Sequence, residues 1–252
     1  MPEDNSPFLD VAHRPWPHPA VPWRLRQRWS RLLFAHWPVP AAEVQSRLPA
    51  GLRVDTFDGW AWLGVVPFAM ERVRFRTMGD HSFSVPSGTS FPELNLRTYV
   101  TGPDGRAGVY FYSLDAGSLL AVVGARVAFG LPYYWAKMAE TRGQGSIRYT
   151  SKRLLTGKDV QFAGSYRSLG IPSPGDDLRH FLTERYALFT RRFGAVQIGE
   201  IHHRPWHMEQ AEAEFERNDL PGSFGFTLPR REPLLHYSEA IEMEAWLPRR
   251  VR

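Results

Sequence analysis

The segment Phe91–Val100 constrains this chain more than any other. It reads F-P-E-L-N-L-R-T-Y-V, so Glu93, Asn95, Arg97 and Tyr99 alternate with Leu94, Leu96, Thr98 and Val100. Side chains on a strand point alternately to opposite faces, which predicts a Glu-Asn-Arg-Tyr row on one side and a mostly apolar row on the other. Four hydrogen-bonding groups of mixed sign suit either a solvated outer face or the wall of a polar pocket. Glu93 and Arg97 lie roughly 13 Å apart along a strand, too far for a direct pair. Each therefore needs a partner across the sheet or a ligand.

The same period of two returns later in the chain. Ala211, Ala213 and Phe215 oppose Glu212, Glu214 and Glu216, and Ile241, Met243 and Ala245 oppose Glu242 and Glu244, with Trp246 on the Glu side. Both segments predict half-exposed antiparallel strands. Strands are also expected at Trp29–Trp37, Val109–Asp115, Leu119–Phe129 and Gly145–Arg153. Trp60–Arg76 begins as a near-continuous apolar run and then alternates, which predicts a buried strand leading to a more exposed one. Helical signals are few. Pro40–Leu48 reads as a short helix with Pro near its first turn. Ser173-Pro174-Gly175-Asp176 reads as a helix start: Ser173 caps, Pro174 takes the first position, and Asp176 and Asp177 complement the positive end. Leu178, Phe181, Leu182 and Tyr186 then follow at helical spacing. Many strands with two or three short helices imply a mostly β, α+β domain.

Residues 1–23 carry Pro at 2, 7, 15, 17, 19 and 22, with Trp16 and Trp23 among them. Such a stretch excludes regular helix and internal strand, and predicts an extended arm packed on a single domain over 24–252. Hydrophobic residues at 43% and aromatics at 13% of 252 residues supply a sizeable core. The absence of cysteine excludes disulfides, zinc-thiolate sites and a thiol nucleophile. The N-terminus lacks a basic region followed by an apolar core, and the apolar run Ser118–Met138 is interrupted by Arg126, Pro132 and Lys137. The expectation is a cytoplasmic protein with no membrane span. All but three of the 31 basic residues are arginines, clustered at Arg24, Arg26, Arg28 and Arg31 and at Arg249, Arg250 and Arg252. No recognition helix or stacking platform accompanies them, so no nucleic-acid partner is expected.

Four pieces of the chain together resemble the YqjF-like family of uncharacterised bacterial proteins. They are L-P-A-G-L at 48–52, F-P-E-L-N-L-R-T-Y-V at 91–100, Y-F-Y-S-L-D-A at 110–116 with A-x-x-x-F-G-L-P-Y-Y at 125–134, and the span from T-E-R-Y-A-L-F-T to I-H-H-R-P-W at 183–206. That family is similar in fold to acetoacetate decarboxylase, which implies a closed, cone-shaped β-barrel around a central pocket, often in homo-oligomers. In acetoacetate decarboxylase the segment similar to G-L-P-Y-Y carries two adjacent lysines. One forms a Schiff base and the other lowers its pKa, a pairing long used to illustrate amine activation. Here those positions are Tyr133 and Tyr134, and a phenol cannot form an imine. Glu93 aligns near the decarboxylase's pocket glutamate.

The resemblance thus implies an inherited pocket without the inherited chemistry. Ligand-binding candidates are Glu93, Asn95, Arg97, Tyr99, Arg126, Tyr133 and Tyr134, and catalytic candidates are Glu93 and Lys137. Lys137 would share a face with Tyr133 if Pro132 opened a helix, against the plainer expectation of a solvent-facing lysine. Asp115 and Arg126 are the obvious internal partners for Glu93 and Arg97, and Arg126, read inside an apolar strand, is expected to pair with a carboxylate. His202 and His203 should point to opposite faces of a strand, and Pro205 opposes a helix joining His203 to His207, so no metal or other cofactor is expected. Ser113 lacks the strained elbow of a serine hydrolase. The leading expectation is a small-molecule pocket for an acidic or carbonyl-bearing metabolite. The alternatives are a lyase- or hydratase-type enzyme using Glu93 as acid/base, and an interaction module without a ligand.

Overall fold

The computed structural model describes residues 8, 10–77, 82–84, 90–192 and 194–251; residues 1–7 and 9 of the arm and Arg252 of the basic terminus lie outside them. In chain order the elements are β1 (Leu25–Pro40), α1 (Ala41–Gln45), β2 (Arg53–Val54), β3 (Trp60–Arg76), β4 (Ser82–Ser84), β5 (Phe91–Thr101) and β6 (Ala107–Ala116). There follow α2 (Leu119–Phe129), β7 (Tyr133–Gly143), β8 (Ser146–Arg153), β9 (Gln161–Pro172), α3 (Asp177–Thr183) and β10 (Ala187–Arg192). The last are β11 (Ala195–His203), β12 (Glu209–Asn218), α4 (Leu220–Ser223), β13 (Leu234–Ala245) and β14 (Arg249–Arg250).

These strands close into two rings that share a ribbon. The larger ring runs β6-β7-β8-β9-β12-β13-β1-β3-β5 and is shut by the antiparallel pairing of β5 with β6, a barrel of nine strands. The smaller runs β6-β10-β11-β13-β1-β3-β5 and is shut by the β11–β13 pairing, Ile201 opposite Ala245 and His203 opposite Met243. The rings separate because β6 changes partner along its length: Val109 and Tyr110 pair with β10, whereas Leu114–Ala116 pair with β7. Likewise β13 gives Met243–Ala245 to β11 and His236–Tyr237 to β12. Closure leaves few free edges, which is how antiparallel architectures avoid edge-to-edge aggregation.

The interior of the nine-strand barrel is filled. Leu33, Ala35 and Trp37 of β1, Leu63 and Val65 of β3, and Leu94 and Leu96 of β5 meet Tyr149, Phe162 and Tyr166 from the far wall. The opposite faces of β1, β3 and β5 point into the smaller ring, so these strands are buried on both sides. That explains why the middle of β1 and the first part of β3 read as near-continuous apolar runs, whereas β5 keeps its alternation because its second face carries polar groups. Arg31 and Arg72 adopt left-handed backbone at φ 56° and 51°. Before Arg31 the smaller ring is lined by Gln27 and Trp29, and after it by Leu32 and Phe34; across Arg72 the row passes from Phe68 and Met70 to Val73 and Phe75. Each extra residue reverses the parity of the strand, which is what a β-bulge does. The sequence pattern loses its period of two at these points although each side of the sheet remains continuous.

Leu119–Phe129, expected as a strand, is the helix α2. A uniformly apolar run carries no period that separates strand from helix. The connection decides it: β6 and β7 are parallel neighbours, and parallel strands need a crossover, usually helical. The α3 cap is Asp176 rather than Ser173, with Asp176 Oδ1 accepting from Arg179 N at 2.7 Å. Ser173 is held instead by backbone pairing to Met208 O. Helix α3 ends at Thr183, so Tyr186 belongs to the approach to β10. The described part of the arm lies against β11 and β13. Arg14 Nη1 donates to Ile201 O at 2.7 Å, Trp16 Nε1 to Glu200 Oε2 at 3.0 Å, and Trp246 Nε1 to Val21 O at 2.7 Å.

Gly108 sits where β6 meets β10. A Cβ there would lie 2.5 Å from Ala187 O and 2.8 Å from the Phe189 ring. Overpacking against backbone costs about 1–3 kcal/mol. Gly108→Ala should therefore lower the urea midpoint of unfolding, whereas Gly143→Ala, which meets nothing within 4 Å, should leave it nearly unchanged. Equal effects would place the seam elsewhere.

Candidate functional site

The smaller ring encloses a cavity of about 510 Å³, capped by the α2–β7 connection and by the end of α3. Its walls are mostly aromatic and aliphatic, Trp29, Phe34, Phe68, Phe111, Phe129 and Trp206 among them. β5 contributes a row of polar groups to this wall: Glu93, Asn95 and Arg97 project into the ring while Leu94 and Leu96 fill the barrel behind. The alternation read from the sequence is thus a division between two interiors.

Glu93 is buried, and the Tyr133 hydroxyl donates to its Oε2 at 2.9 Å. Burial, aided by the nearby Asp115 charge, pushes the Glu93 carboxyl up to about 8 against the opposing pull of that hydrogen bond. At neutral pH the group is therefore largely protonated and can both donate and accept. Burial likewise raises the Tyr133 phenol well above its ordinary value. Asn95 Oδ1 is buried without a hydrogen-bond partner in the protein.

Arg97 is the charged anomaly. Its Nη2 donates to Leu182 O at 3.4 Å, its guanidinium stands 5.0 Å from the Phe34 ring centre, and its Nε has no partner. Among the described residues it pairs with no carboxylate. The other arginine on the cavity wall, Arg185, is neutralised by Asp55, Nη1 to Oδ2 at 2.7 Å. His203 also lines the cavity; burial lowers its pKa, and its Nδ1 donates to Arg204 O at 2.7 Å.

The remaining sequence candidates fall elsewhere. Tyr99 is fully buried behind the cavity, donating to Leu182 O at 2.7 Å and accepting from His36 Nε2 at 2.6 Å, so it fastens the end of α3. Arg126 is exposed on α2, and its Nε and Nη2 donate to Tyr133 O. Among the described residues it makes no carboxylate pair, because α2 carries it outside the sheet. Asp115, expected as an internal partner for the Glu93 and Arg97 row, is instead held by Arg153 at 2.8 Å inside the nine-strand barrel, where burial pushes it up to about 6. Tyr134 faces away from Tyr133, under the Arg153 guanidinium at 4.2 Å. Lys137 is exposed on β7, a strand rather than a helix.

His202 turns toward the arm, stacked on His13 with ring centres 5.5 Å apart, and His203 turns to the cavity. Among the described residues no three His, Asp or Glu side chains are grouped to hold a metal, and no helix is long and apolar enough to cross a membrane. Sequence reasoning missed the aromatic wall and Arg185. Their signal was present only as apolar runs whose two faces could not be told apart.

Two closed rings on a shared ribbon, with a polar strand facing the smaller one, define a protein of the acetoacetate decarboxylase fold. Solved structures bear this out. The chain matches an acetoacetate decarboxylase-like enzyme from Sphingomonas wittichii RW1 at a TM-score of 0.60 and 15% identity, covering 92% of this chain and 94% of that one. It matches acetoacetate decarboxylase from Legionella pneumophila at 0.59 and 11%, covering 95% and 93%. The enduracididine biosynthesis enzyme MppR complexed with pyruvate matches at 0.55 and 12%, covering 92% and 91%. Residues 26–242 match the family DUF2071, described as an uncharacterized conserved protein, and the chain belongs to that family. The uncharacterized protein YqjF of Bacillus subtilis (strain 168) is 41% identical over 226 residues, 89% of this chain and 91% of that protein.

The raised Glu93 pKa has a linkage consequence. Between the ordinary value of 4.5 and about 8, the folded protein holds a proton that the unfolded chain has released. The stability this group contributes is present at low pH and is lost as pH rises through that window. Glu93→Gln cannot ionise, so its stability relative to wild type should improve steadily across the window in a pH series of urea titrations. A pH-independent difference would contradict the buried proton.

Proposed function

We propose that this protein binds an acidic or carbonyl-bearing small molecule in the cavity of the smaller ring, and does so without imine chemistry. The observation that carries this reading is Arg97: a guanidinium on an apolar cavity wall, with one nitrogen unpartnered and no carboxylate partner among the described residues. Arg97 is half-buried; a charge partly withdrawn from water gains from a counter-ion, and a ligand carboxylate or carbonyl oxygen would supply the missing acceptor. Glu93, protonated and tied to Tyr133, would hydrogen-bond the rest of the ligand's polar head. The pyruvate complex of MppR supports the class of ligand, since that protein shares the fold.

Glu93 also favours a second reading. A carboxyl raised to about 8 beside a phenol can give and take a proton near neutral pH, the property required of acid/base catalysis in a lyase or hydratase. Binding and turnover separate the two. Glu93→Gln should keep most of the binding in either case, and should abolish any turnover if Glu93 acts on the proton.

Imine formation has no amine to use. The three lysines, Lys137, Lys152 and Lys158, are all exposed and none lines the cavity. Incubation with acetoacetate or pyruvate followed by borohydride should leave the intact mass unchanged. A reduced adduct that disappears in Lys137→Ala would restore Schiff-base chemistry.

A further inference from the structure

The geometry points to a more specific occupant: a monocarboxylate whose body is large and apolar, such as a medium- or long-chain fatty acid, with its head at Arg97 and its chain along the aromatic wall. This rests on the binding reading above and narrows it. Three observations carry it. The first is size. A volume of about 510 Å³ falls within the range of about 300–1,000 Å³ typical of pockets for drug-sized ligands, far more than a keto acid of a few heavy atoms would fill. The second is the wall. Away from β5 the cavity is lined by residues such as Trp29, Phe68, Met70, Phe75, Phe111 and Phe129. Such surfaces gain by contact with hydrocarbon and offer little to a small, polar metabolite.

The third observation is the economy of charge. Of the two arginines on the wall, Arg185 is spent on Asp55, which leaves Arg97 as the cation available to one anionic head. A dicarboxylate or a phosphate ester would bring more negative charge than one guanidinium in a mostly apolar cavity can balance. Glu93, farther along the same strand and holding its proton, brings no second charge to the cavity. Arg97 and Glu93 share one face of β5; Gln27, Thr183, Arg185 and His203 add further polar groups to the lining, and the larger part of the cavity is aromatic and aliphatic.

Isothermal titration of the full chain with butanoate, octanoate, dodecanoate, pyruvate and dodecanol tests the proposal. Burial of each added methylene can tighten binding by up to about fourfold, so affinity should climb along the straight-chain acids until the cavity is full. Dodecanoate should bind far more tightly than pyruvate. Arg97→Met should weaken dodecanoate by about tenfold or more and leave dodecanol nearly unchanged, with Arg97→Lys intermediate.

Pyruvate or butanoate binding as tightly as dodecanoate would overturn the apolar-body proposal and leave the acidic-ligand reading standing. Dodecanol matching dodecanoate, with no effect of Arg97→Met, would refute the carboxylate head and remove Arg97 from both readings. No binding by any of the acids would sink both. The ladder on the wild type stands even if an Arg97 variant fails to fold.

Discussion

The ribbon β13-β1-β3-β5-β6 is closed into a ring on each side, and much of its length has no solvent face. Most side chains along the middle of its central strands are thereby committed to one of two interiors, whereas Trp60 and Arg72 toward the ends of β3 stay exposed. The two interiors differ because one is packed and the other is not. Tyr149 illustrates the coupling between them. It lies in the packed barrel with its hydroxyl donating to Phe68 O at 3.0 Å and to Glu93 O at 2.7 Å, the backbone of two residues whose side chains line the cavity. The cavity wall is therefore held from behind by the filled core.

Bulges make this double burial feasible. A strand serving two interiors over 16 or 17 residues, as β1 and β3 do, must twist and bend to follow both rings. The left-handed residues Arg31 and Arg72 provide the bend, each at a conformational cost for a side chain with a Cβ. Arg31 is secured on Glu71 and Glu140, and its carbonyl accepts from Tyr166. A bulge so fixed keeps the register of the cavity face.

Electrostatics around the cavity follow from burial. Asp115 and Arg153 neutralise each other within the barrel, and Arg185 and Asp55 do so at the cavity's edge. Glu93 instead resolves its burial by holding a proton. Arg97 does neither, and its contact with the Phe34 and Tyr99 rings is a partial substitute for a counter-ion. Tyr133 and Tyr134, adjacent on β7, point to opposite sides of the strand. One joins Glu93 in the cavity and the other packs on Arg153 in the barrel.

By itself, the sequence determined the local facts: the strands of β1, β3, β5, β6, β8, β12 and β13, the mostly β class, and the grouping of Glu93, Asn95 and Arg97 on one face. Each of these depends on spacing along a single strand, which alternation encodes directly. Tertiary structure decided the rest. Whether the Glu-Asn-Arg face met water or a cavity depended on β10 and β11 closing a second ring, through pairings between segments far apart in the chain. Leu119–Phe129 became a helix because β6 and β7 ended parallel, and with it Arg126 left the sheet. The aromatic wall was hidden in apolar runs because strands buried on both faces lose their alternation, and bulges at Arg31 and Arg72 shift what remains. Parity along one strand says which residues face together, but only the closing of the sheet says what they face.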